Sequence, residues 1–462
     1  MEGVVPDLLK IAKVIPVFKS GDEKVIMNYR PISILPVFSK IFEKVVFNRL
    51  QNYLDKNNIL HHNQFGFRPN LSTSLALLQL TDEISKASDD GKITIGIFVD
   101  LAKAFDTVDH KILLKKLNHY GIRGTALNWF ESYLLNRVQY VMVNKAKSRS
   151  ANVICGVPQG SILGPILFLL YINDLNIVSN IVRMIMFADD TNLFLTGKSV
   201  KEIEESLNRE LGLLAEWFQA NLLSVNVSKT GYIIFSNKIN DGIKINLHMN
   251  NLEITRQYET KFLGLILNYN LKWNKHVEII VNKISKNIGI ISKVRHLLPL
   301  GLTRTLYLTL VEPYISYCNL VWSRPEKTVL LETIHKIQKK YCRLITFSDY
   351  RAHSKPLFIQ LKLLTVYQMC KFQLCLYVYK SIKGLFPPGI AIQFQQNASI
   401  HNYNTRQKLH LHIEGCRTTS RLNTIRFLAP RVWDSLPEGI KHISHVASFR
   451  RMLRTYVLSN LV

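Results

Sequence analysis

Three aspartates are the residues whose type and position could do chemistry. Asp100 directly follows the β-branched segment ITIGIFV at residues 93–99, and Asp189 and Asp190 lie in FADDT between two short apolar runs. The first segment predicts a buried strand, and the second predicts a hairpin with both acids at its tip. An unpaired carboxylate is costly in apolar surroundings unless a cation offsets its charge. The three aspartates are therefore candidate metal ligands.

Carboxylates at the ends of strands suit Mg²⁺, which prefers hard oxygen ligands. Two such ions about 3.5–4 Å apart can activate a 3′-hydroxyl and stabilise a leaving pyrophosphate, which is phosphoryl transfer. Adjacent residues of a strand point to opposite faces, so Asp189 and Asp190 can converge only in a turn. For this pair alone, the alternative is that the acids merely cap the turn.

The composition narrows the class of partner. The chain has 462 residues, 47% hydrophobic and 20% charged, and its formal net charge is +26, so we expect a globular protein with a polyanionic partner. Residues 1–240 carry 27 basic and 22 acidic side chains, whereas residues 241–462 carry 32 and 11. Nucleic acid is the first candidate and a membrane surface the second. The six cysteines form no CxxC motif, and the apolar run at 162–172 is too short to span a membrane.

The elements that must position the aspartates can be predicted from periodicity. Alternating strands and helices followed by basic helical sequence indicate an α+β unit with helical additions. We expect helices over 37–60, over 110–135 in two pieces, and over 201–223, with strands at TGYIIFS and TKFLGLIL. The expected apolar faces are Phe38, Ile41, Val45 or Val46, Leu50 and Leu54 in the first helix, and Ile203, Leu207, Leu211, Leu214, Phe218 and Leu222 in the last.

A series of ordered motifs resembles one family. The segments FVDLAKAFDTVDH, GVPQGSILGPILFLLYINDL and FADDT resemble the palm of reverse transcriptases, in the form found in non-LTR (LINE-type) retrotransposons of the jockey-like group. IPVFKSGD, NYRPISILP and NQFGFRPNLST resemble the fingers motifs, and LLSVNVSKT and TKFLGLIL resemble later palm motifs. LTLVEPYISYCNLVWS and FLAPRVWDSLP are similar, more loosely, to the C-terminal region of these elements.

The resemblance implies a right-hand polymerase, with fingers and a palm that holds a small antiparallel sheet, followed by a helical thumb and a helical C-terminal region. We expect fingers and palm over 1–240, primer grip and thumb over 241–300, and a basic region of unknown role over 301–462. The chain begins inside the first fingers motif, so it is expected to be truncated at its N-terminus and to lack an endonuclease. The dispersed acids of 301–462 argue against a ribonuclease H domain.

The resemblance also implies roles around the aspartates. Asp100 and Asp189 correspond to direct ligands of both metals, Asp190 to the third carboxylate, and Lys229 to the general acid that protonates pyrophosphate. Phe105 falls at the steric gate that excludes a ribose 2′-hydroxyl. The alternatives are a plain core phenylalanine at 105 and a solvated lysine at 229. Asp106 and Asp109 are interpreted as helix-start residues that offset the helix dipole.

Further residues match positions that hold nucleotide or nucleic acid. The motifs assign the incoming triphosphate to Lys19 and Arg30, the nucleotide and template base to Gln159 and Gly160, template phosphate to Arg68, and the primer grip to Phe262, Leu263 and Gly264. Lys19 and Arg30 could instead be surface cations. A turn that opens a helix over 161–172 is the other interpretation of the Gln159 loop and is compatible with the same role.

Periodicity alone predicts the thumb surface. On a helix over 275–298, with about 100° per residue, Lys275, Lys286 and Lys293 share one face, opposite Ile280, Ile284, Ile288 and Ile291. We expect the isoleucines to pack inward and the lysines to contact the duplex backbone. A merely solvated lysine face is the alternative.

The sequence therefore predicts an RNA-directed DNA polymerase that uses two Mg²⁺ ions, with Mn²⁺ as an alternative, to add dNTPs to a DNA primer on an RNA template. An RNA-dependent RNA polymerase is disfavoured by Phe105, and a non-catalytic, nucleic-acid-binding remnant stays open. Neither a membrane nor a protein partner is expected. The resemblance implies an intracellular ribonucleoprotein, nuclear and cytoplasmic.

Overall fold

The structure is a computed structural model that describes residues 3–236, 245–387, 389, 392–400, 403 and 405–460. Segments rich in β-branched and aromatic residues form its longer strands. They are β1 (Ile11–Phe18), β2 (Tyr29–Ile34), β3 (Ile93–Val99), β4 (Arg137–Val143), β5 (Ala146–Lys147), β6 (Ala151–Val153), β7 (Arg183–Phe187), β8 (Asp190–Gly197), β9 (Gly231–Phe235), β10 (His248–Met249), β11 (Leu252–Glu253), β12 (Thr255–Arg256), β13 (Glu259–Phe262) and β14 (Leu265–Asn268).

Helices alternate with the strands in the first half and dominate the second half. They are α1 (Val37–Lys56), α2 (Thr73–Asp89), α3 (His110–His119), α4 (Thr125–Leu134), α5 (Gly164–Ile172), α6 (Val200–Ala220), α7 (Asn274–Val294), α8 (Leu300–Leu310), α9 (Glu312–Ser316), α10 (Asn319–Trp322), α11 (Val329–Ile345), α12 (Ser354–Gln360), α13 (Val366–Ile382), α14 (Thr419–Leu422), α15 (Ile425–Asp434), α16 (Glu438–Lys441) and α17 (Val446–Ser459). The predicted α+β class, with small sheets followed by helical sequence, is confirmed.

The central sheet has the strand order β12-β9-β3-β8-β7. Its strands pair antiparallel except for β12, which pairs parallel with β9. In the register of β3 and β8, Val99 lies opposite Thr191. The C-terminal end of β3 therefore lies at the same edge as the turn between β7 and β8.

A second sheet, the N-terminal sheet, has the order β2-β1-β4-β5, with β6 also paired to β4. Strands β1 and β2 form an antiparallel hairpin in which Val17 lies opposite Arg30. Strand β1 also pairs parallel with β4, which follows α4 in the chain. The hairpin is thus fixed to the part of the chain that contains α3 and α4.

Two hydrophobic cores cover the two faces of the central sheet because strand residues alternate between faces. On β3, Ile97 belongs to one core, and its neighbour Phe98 belongs to the other. The core around Ile97 includes the fully buried helix α5 and the apolar face of α6. The core around Phe98 joins α2, the β13–β14 hairpin, α7 and the helices up to α17. This second core crosses the predicted boundaries at 240 and 300, and those boundaries stay predictions.

Most predicted elements are confirmed, and the differences have local causes. Strand β3 and the division into α3 and α4 match the prediction. TKFLGLIL is a hairpin, because Leu263 and Gly264 adopt positive φ angles of 44° and 83° and reverse the chain. Leu222 is 58% exposed because α6 ends at Ala220.

Helix α1 differs from its predicted burial. Leu50 and Leu54 are buried as expected, but Phe38, Ile41 and Val45 in its first half are at least half exposed. The predicted apolar face therefore packs only along the second half of the helix.

Helix α7 has the faces that its periodicity predicts, although the α-helix ends at Val294, with a 3₁₀ turn over Arg295–Leu297. All four predicted isoleucines are buried, and the three lysines are exposed. In the described parts of the chain, no helix has the length and apolar character needed to cross a membrane.

Candidate active site

The register of the central sheet brings the three aspartates to one edge. Asp100 follows the last residue of β3, and Phe187 pairs with Asp190 across the two-residue turn formed by Ala188 and Asp189. Because β3 and β8 are antiparallel neighbours, the end of β3 and the start of β8 meet. The structure thus places the three predicted residues together.

The turn that holds Asp189 is fixed by a segment that precedes α2. Ala188 has a φ of 58°, and its backbone N–H donates to Oε1 of Gln64 at 3.0 Å. The same oxygen accepts the N–H of Gly66 at 2.9 Å. A Cβ on Gly66 would lie 2.3 Å from the nitrogen of Ala188, so only glycine allows this approach. Gln64 is a positioning residue that the sequence analysis missed, although it lies inside the motif NQFGFRP.

The aspartates repel one another electrostatically. Loss of solvation, followed by the charges of Asp189 and Asp100, raises the pKa of Asp190 to about 6. Loss of solvation also raises the pKa of Asp189, and Asp100 adds to this rise. Like charges in one site favour the protonated form of each other. A cation bound between the three aspartates would therefore stabilise their charged forms.

The three aspartates supply only some of the ligands that a Mg²⁺ ion needs. Among the described residues, no three His, Cys, Asp or Glu side chains are arranged as a complete metal site. Mg²⁺ keeps several waters and is usually held by one or two carboxylates together with substrate phosphates. Asp100 and Asp189 supply such carboxylates, so the residues fit an ion that is shared with a nucleotide.

Lys229 lies in a turn that is bonded to the backbone of Asp100. The N–H of Asn226 donates to the carbonyl of Asp100 at 2.8 Å, and the N–H of Asp100 donates to Oγ1 of Thr230 at 3.3 Å. Leu101 also pairs with Val225. These bonds bring the exposed Lys229 to the same sheet edge, and its role as a general acid stays a prediction.

Phe105 lies beside this edge with its ring held by two others. It stacks on Phe168 at 4.5 Å between ring centroids, and Phe67 meets it edge-on at 6.3 Å. Phe168 is fully buried in α5, whereas Phe105 is half-buried. A half-buried ring that stacks on a buried one has room to meet a bound sugar, and the role of Phe105 as a steric gate stays a prediction.

Lys19 and Arg30 lie on the β1–β2 hairpin, close enough to the aspartates to act on them. Both side chains are exposed, and their positive charges oppose the rise in the pKa of Asp189. The N–H of Lys19 donates to the carbonyl of Asn28 at 2.8 Å, which closes the loop between the two strands. The structure thus brings both predicted triphosphate residues to the carboxylate edge.

The loop that contains Gln159 and Gly160 packs against β2. The carbonyl of Gln159 accepts the N–H of Ser33 at 2.7 Å, and its side-chain Nε2 donates to Asp106 at 2.9 Å. Gly160 has a φ of 121°, and a Cβ there would lie 2.5 Å from the carbonyl oxygen of Ser33. The loop is therefore tightly fixed, and the helix that follows begins only at Gly164.

The two acids that were interpreted as helix-start residues differ. Asp109 caps α3, because its Oδ1 accepts the N–H of Ile112 at 2.8 Å. Asp106 begins no helix: it lies in a turn before α3 and accepts its bond from Gln159. The interpretation is confirmed for Asp109 and wrong for Asp106.

Glu43 of α1 is a second positioning residue that the sequence analysis missed. It is 1% exposed, and its Oε2 accepts the N–H of Ile162 at 2.6 Å and that of Leu163 at 3.4 Å. These amides directly follow the Gln159–Gly160 loop. A carboxylate is stabilised by such donors at the start of a helix. The signal in the sequence is weak, because Glu43 is one of several charged residues in an amphipathic helix.

Arg68 has a structural role in addition to the predicted one. Its Nη1 donates to the carbonyl of His61 at 2.8 Å and to that of Gln64 at 3.3 Å. It therefore supports the segment that fixes the Ala188 turn. A guanidinium has five N–H donors, so contact with template phosphate stays a prediction.

The predicted primer grip is the β13–β14 hairpin. Phe262 is 3% exposed and packs on Phe98 of β3 at 5.6 Å, two residues before Asp100. Leu263 and Gly264 form the turn. Lys275, Lys286 and Lys293 lie on α7, which packs on the same core, and their contact with a duplex stays a prediction.

Comparisons with known proteins identify the family. The sequence profile of the family described as reverse transcriptase (RNA-dependent DNA polymerase) matches residues 19–267. A probable RNA-directed DNA polymerase from transposon BS of Drosophila melanogaster is 29% identical over 382 residues, which are 78% of this chain and 41% of the relative. The RNA-directed DNA polymerase from mobile element jockey of the same species is 27% identical over 373 residues, covering 78% and 40%.

A solved telomerase from Candida albicans, in complex with a fragment of telomeric RNA, aligns with a TM-score of 0.40 and 13% identity over 78% of this chain and 62% of that chain. The chain spans about two fifths of the length of the transposon relatives. The predicted resemblance to jockey-like non-LTR elements is confirmed. Since the family profile matches more than half of the residues, the chain belongs to the reverse transcriptase (RNA-dependent DNA polymerase) family.

Proposed function

We propose that the chain is an RNA-directed DNA polymerase of a non-LTR retrotransposon, which adds deoxynucleotides to the 3′-end of a primer on an RNA template. The observation that carries the proposal is the meeting of Asp100 with the Asp189–Asp190 turn at one edge of the central sheet. Mutual repulsion and desolvation raise the pKa of the acids in this turn. Such a cluster suits a site that works with a bound cation.

Reverse transcriptases use divalent metal ions, and we propose two Mg²⁺ ions here, with Mn²⁺ as a substitute. Asp100 and Asp189 would hold them, with Asp190 as the third carboxylate. When bound, the ions supply activation of the primer 3′-hydroxyl and stabilisation of the leaving pyrophosphate. Lys229 would donate a proton to that pyrophosphate.

The surrounding residues would bind and orient the nucleotide. Lys19 would meet its triphosphate as a point charge and Arg30 as a two-pronged donor. Gly160 would let the backbone of its loop approach the base pair, with Gln159 contacting the nucleotide and template base. The ring of Phe105 would exclude a 2′-hydroxyl by its bulk, which selects dNTPs.

The nucleic acid would lie across the sheet edge and the second half of the chain. Arg68 would contact template phosphate, and the turn at Leu263–Gly264 would hold the primer end. Lys275, Lys286 and Lys293 would contact the duplex backbone by charge. The support for this surface is the exposure of all three lysines, opposite the buried isoleucines of α7.

Primer extension by the purified chain tests the proposal. An RNA template with an annealed DNA primer is incubated with Mg²⁺ and either dNTPs or rNTPs, and the products are resolved by length. Extension with dNTPs is expected. Extension with rNTPs alone would indicate an RNA polymerase, and binding without any extension would indicate a non-catalytic remnant.

A further inference from the structure

The turn at Leu263–Gly264 contacts the C-terminal region, whose role the motifs leave unassigned. The hydroxyl of Tyr317 donates to the carbonyl of Leu263 at 2.8 Å and lies 3.1 Å from Oγ1 of Thr73 at the start of α2. A Cβ built on Gly264 would lie 3.1 Å from Cε1 of the Tyr317 ring. Three segments far apart in sequence therefore meet at this hydroxyl and ring.

Tyr317 is itself held in place from both sides. Its carbonyl accepts Nε1–H of the buried Trp322 at 2.9 Å. The next residue, Cys318, has a φ of 49°, which is uncommon outside glycine. Ser74 donates to the Cys318 sulfur at 3.2 Å, and the sulfur is buried. Such a backbone persists only where its surroundings determine it strongly, so the backbone from which the Tyr317 ring extends is held in one conformation.

The other end of the turn is fixed to the catalytic strand. Phe262 packs on Phe98, two residues before Asp100 in the chain. The turn thus has two attachments: one to β3 through a buried ring contact, and one to the C-terminal region through Tyr317.

We propose that Tyr317 is a positioning residue that sets the backbone of the Leu263–Gly264 turn for contact with the primer end. The inference rests on the proposed function, in which this turn holds the primer. Gly264 is exposed, so its backbone is available to nucleic acid. A turn that is already ordered loses less conformational entropy when the primer binds. The C-terminal region would therefore act in primer binding without touching nucleotide.

The variant Y317F removes the hydroxyl and keeps the ring. One hydrogen bond corresponds to about a 2- to 10-fold change in an equilibrium constant. We expect the KM for primer–template to rise by about that factor, while the KM for dNTP and kcat at saturating primer–template stay unchanged. In the full-length chain, hydrogen–deuterium exchange of a peptide spanning 262–265 should become faster. The thermal unfolding midpoint reports whether the variant is folded.

Two further variants make the test specific. Y314F is the matched control, because Tyr314 is a similarly exposed tyrosine of α9 whose ring packs under Lys283. It should change neither the exchange at 262–265 nor the KM for primer–template. T73V removes the other hydroxyl near Tyr317 and should act in the same direction as Y317F, with a smaller effect.

Unchanged exchange at 262–265 in Y317F would overturn the proposal, as would faster exchange with unaltered primer–template binding. An equal rise in the KM for dNTP and in the KM for primer–template would also overturn it. If the unaltered chain extends no primer, the proposed function fails instead. The exchange measurement and the equilibrium affinity for annealed primer–template then still decide the role of Tyr317.

Discussion

Two surfaces of the molecule carry opposite charges and are held in different ways. One is the carboxylate edge of the central sheet, and the other is the lysine face of α7. Their residues are Asp100, Asp189 and Asp190 at the edge, and Lys275, Lys286 and Lys293 on the helix. Gln64 fixes the Asp189 turn by accepting the Ala188 N–H, and backbone bonds tie Asp100 to the 226–230 turn. The lysines project from a helix into solvent, and among the residues that the structure describes Lys275 pairs with Glu278 at 3.5 Å, whereas Lys286 and Lys293 have no ion pair. Fixed placement suits chemistry at defined atoms, whereas exposed charge suits the sequence-independent recognition of a phosphate backbone.

The largest effect is expected from the carboxylate edge. Asp100→Asn should reduce primer extension by about 10²–10³-fold, the scale for losing one strong electrostatic contributor. Affinity for primer–template should persist, because the lysine face is unaltered. Single-turnover extension and equilibrium binding measure the two quantities.

Asp109→Asn is the matched control, because Asp109 caps α3 and asparagine caps a helix about as well as aspartate. It should leave extension near the starting rate. Extension by the Asp100 variant at a comparable rate would remove Asp100 from the metal site.

A buried histidine of α7 should make the stability of the second half of the molecule depend on pH. His276 on α7 is 5% exposed, and neither ring nitrogen has a hydrogen-bond partner among the described residues. Burial, with a smaller effect from Lys283, lowers the pKa of His276 from 6.5 to about 4. The unfolded chain therefore takes up a proton below pH 6.5 that the folded chain takes up only near pH 4.

The free energy of unfolding should thus be highest above pH 6.5. It should fall by about 3 kcal/mol, from this residue alone, as the pH is lowered towards 4. His276→Phe keeps an aromatic ring against Trp322, at 5.7 Å in the structure, and should remove this share of the pH dependence. Urea unfolding at pH 7.5 and 5 should show about 2 kcal/mol of this loss, because pH 5 lies about 1.5 units below the unfolded pKa. The exposed His248→Gln is the control. A pH dependence that is identical in the His276 variant would contradict the prediction.

The choice between dNTPs and rNTPs tests whether Phe105, near the carboxylate edge, excludes the 2′-hydroxyl by its bulk. Phe105→Val should raise kcat/KM for rNTPs relative to dNTPs by about tenfold or more, because the smaller side chain leaves room for the 2′-hydroxyl. Phe38→Val, at an exposed phenylalanine of α1, is the control and should leave this ratio nearly unchanged. If discrimination is the same in both variants, Phe105 is a core residue.

The smallest effect is expected from the exposed lysines of α7. Replacing Lys275, Lys286 and Lys293 with Gln should lower the slope of log affinity against log salt by up to about three units, since each phosphate contact contributes about 0.9. The fold should be intact by circular dichroism because the buried isoleucines are unchanged.

The matched control replaces three exposed lysines of α1 with Gln in the same way. They are Lys40, Lys44 and Lys56. Its salt slope should equal that of the unaltered chain, since the basic excess lies in the second half. Equal slopes for all three proteins would show that the α7 lysines are only solvated.

The sequence by itself determined the elements whose signals are local. The β-branched run before Asp100, the hairpin around Asp189 and the opposed faces of α7 all follow from periodicity, and the structure contains each of them. The motif order identified the family as well. These features need only neighbouring residues, because alternation and helical spacing are local properties of the chain.

The tertiary structure alone decided which distant groups meet. The pairing of Val99 with Thr191 brings Asp100 to the acidic turn, and Glu43 and Gln64 are buried against amides that lie more than 100 residues away. Tyr317 reaches the Leu263 turn in the same way. No local pattern encodes such partners, because a glutamate, a glutamine or a tyrosine in amphipathic sequence looks like a surface residue until the packing of two cores fixes its surroundings.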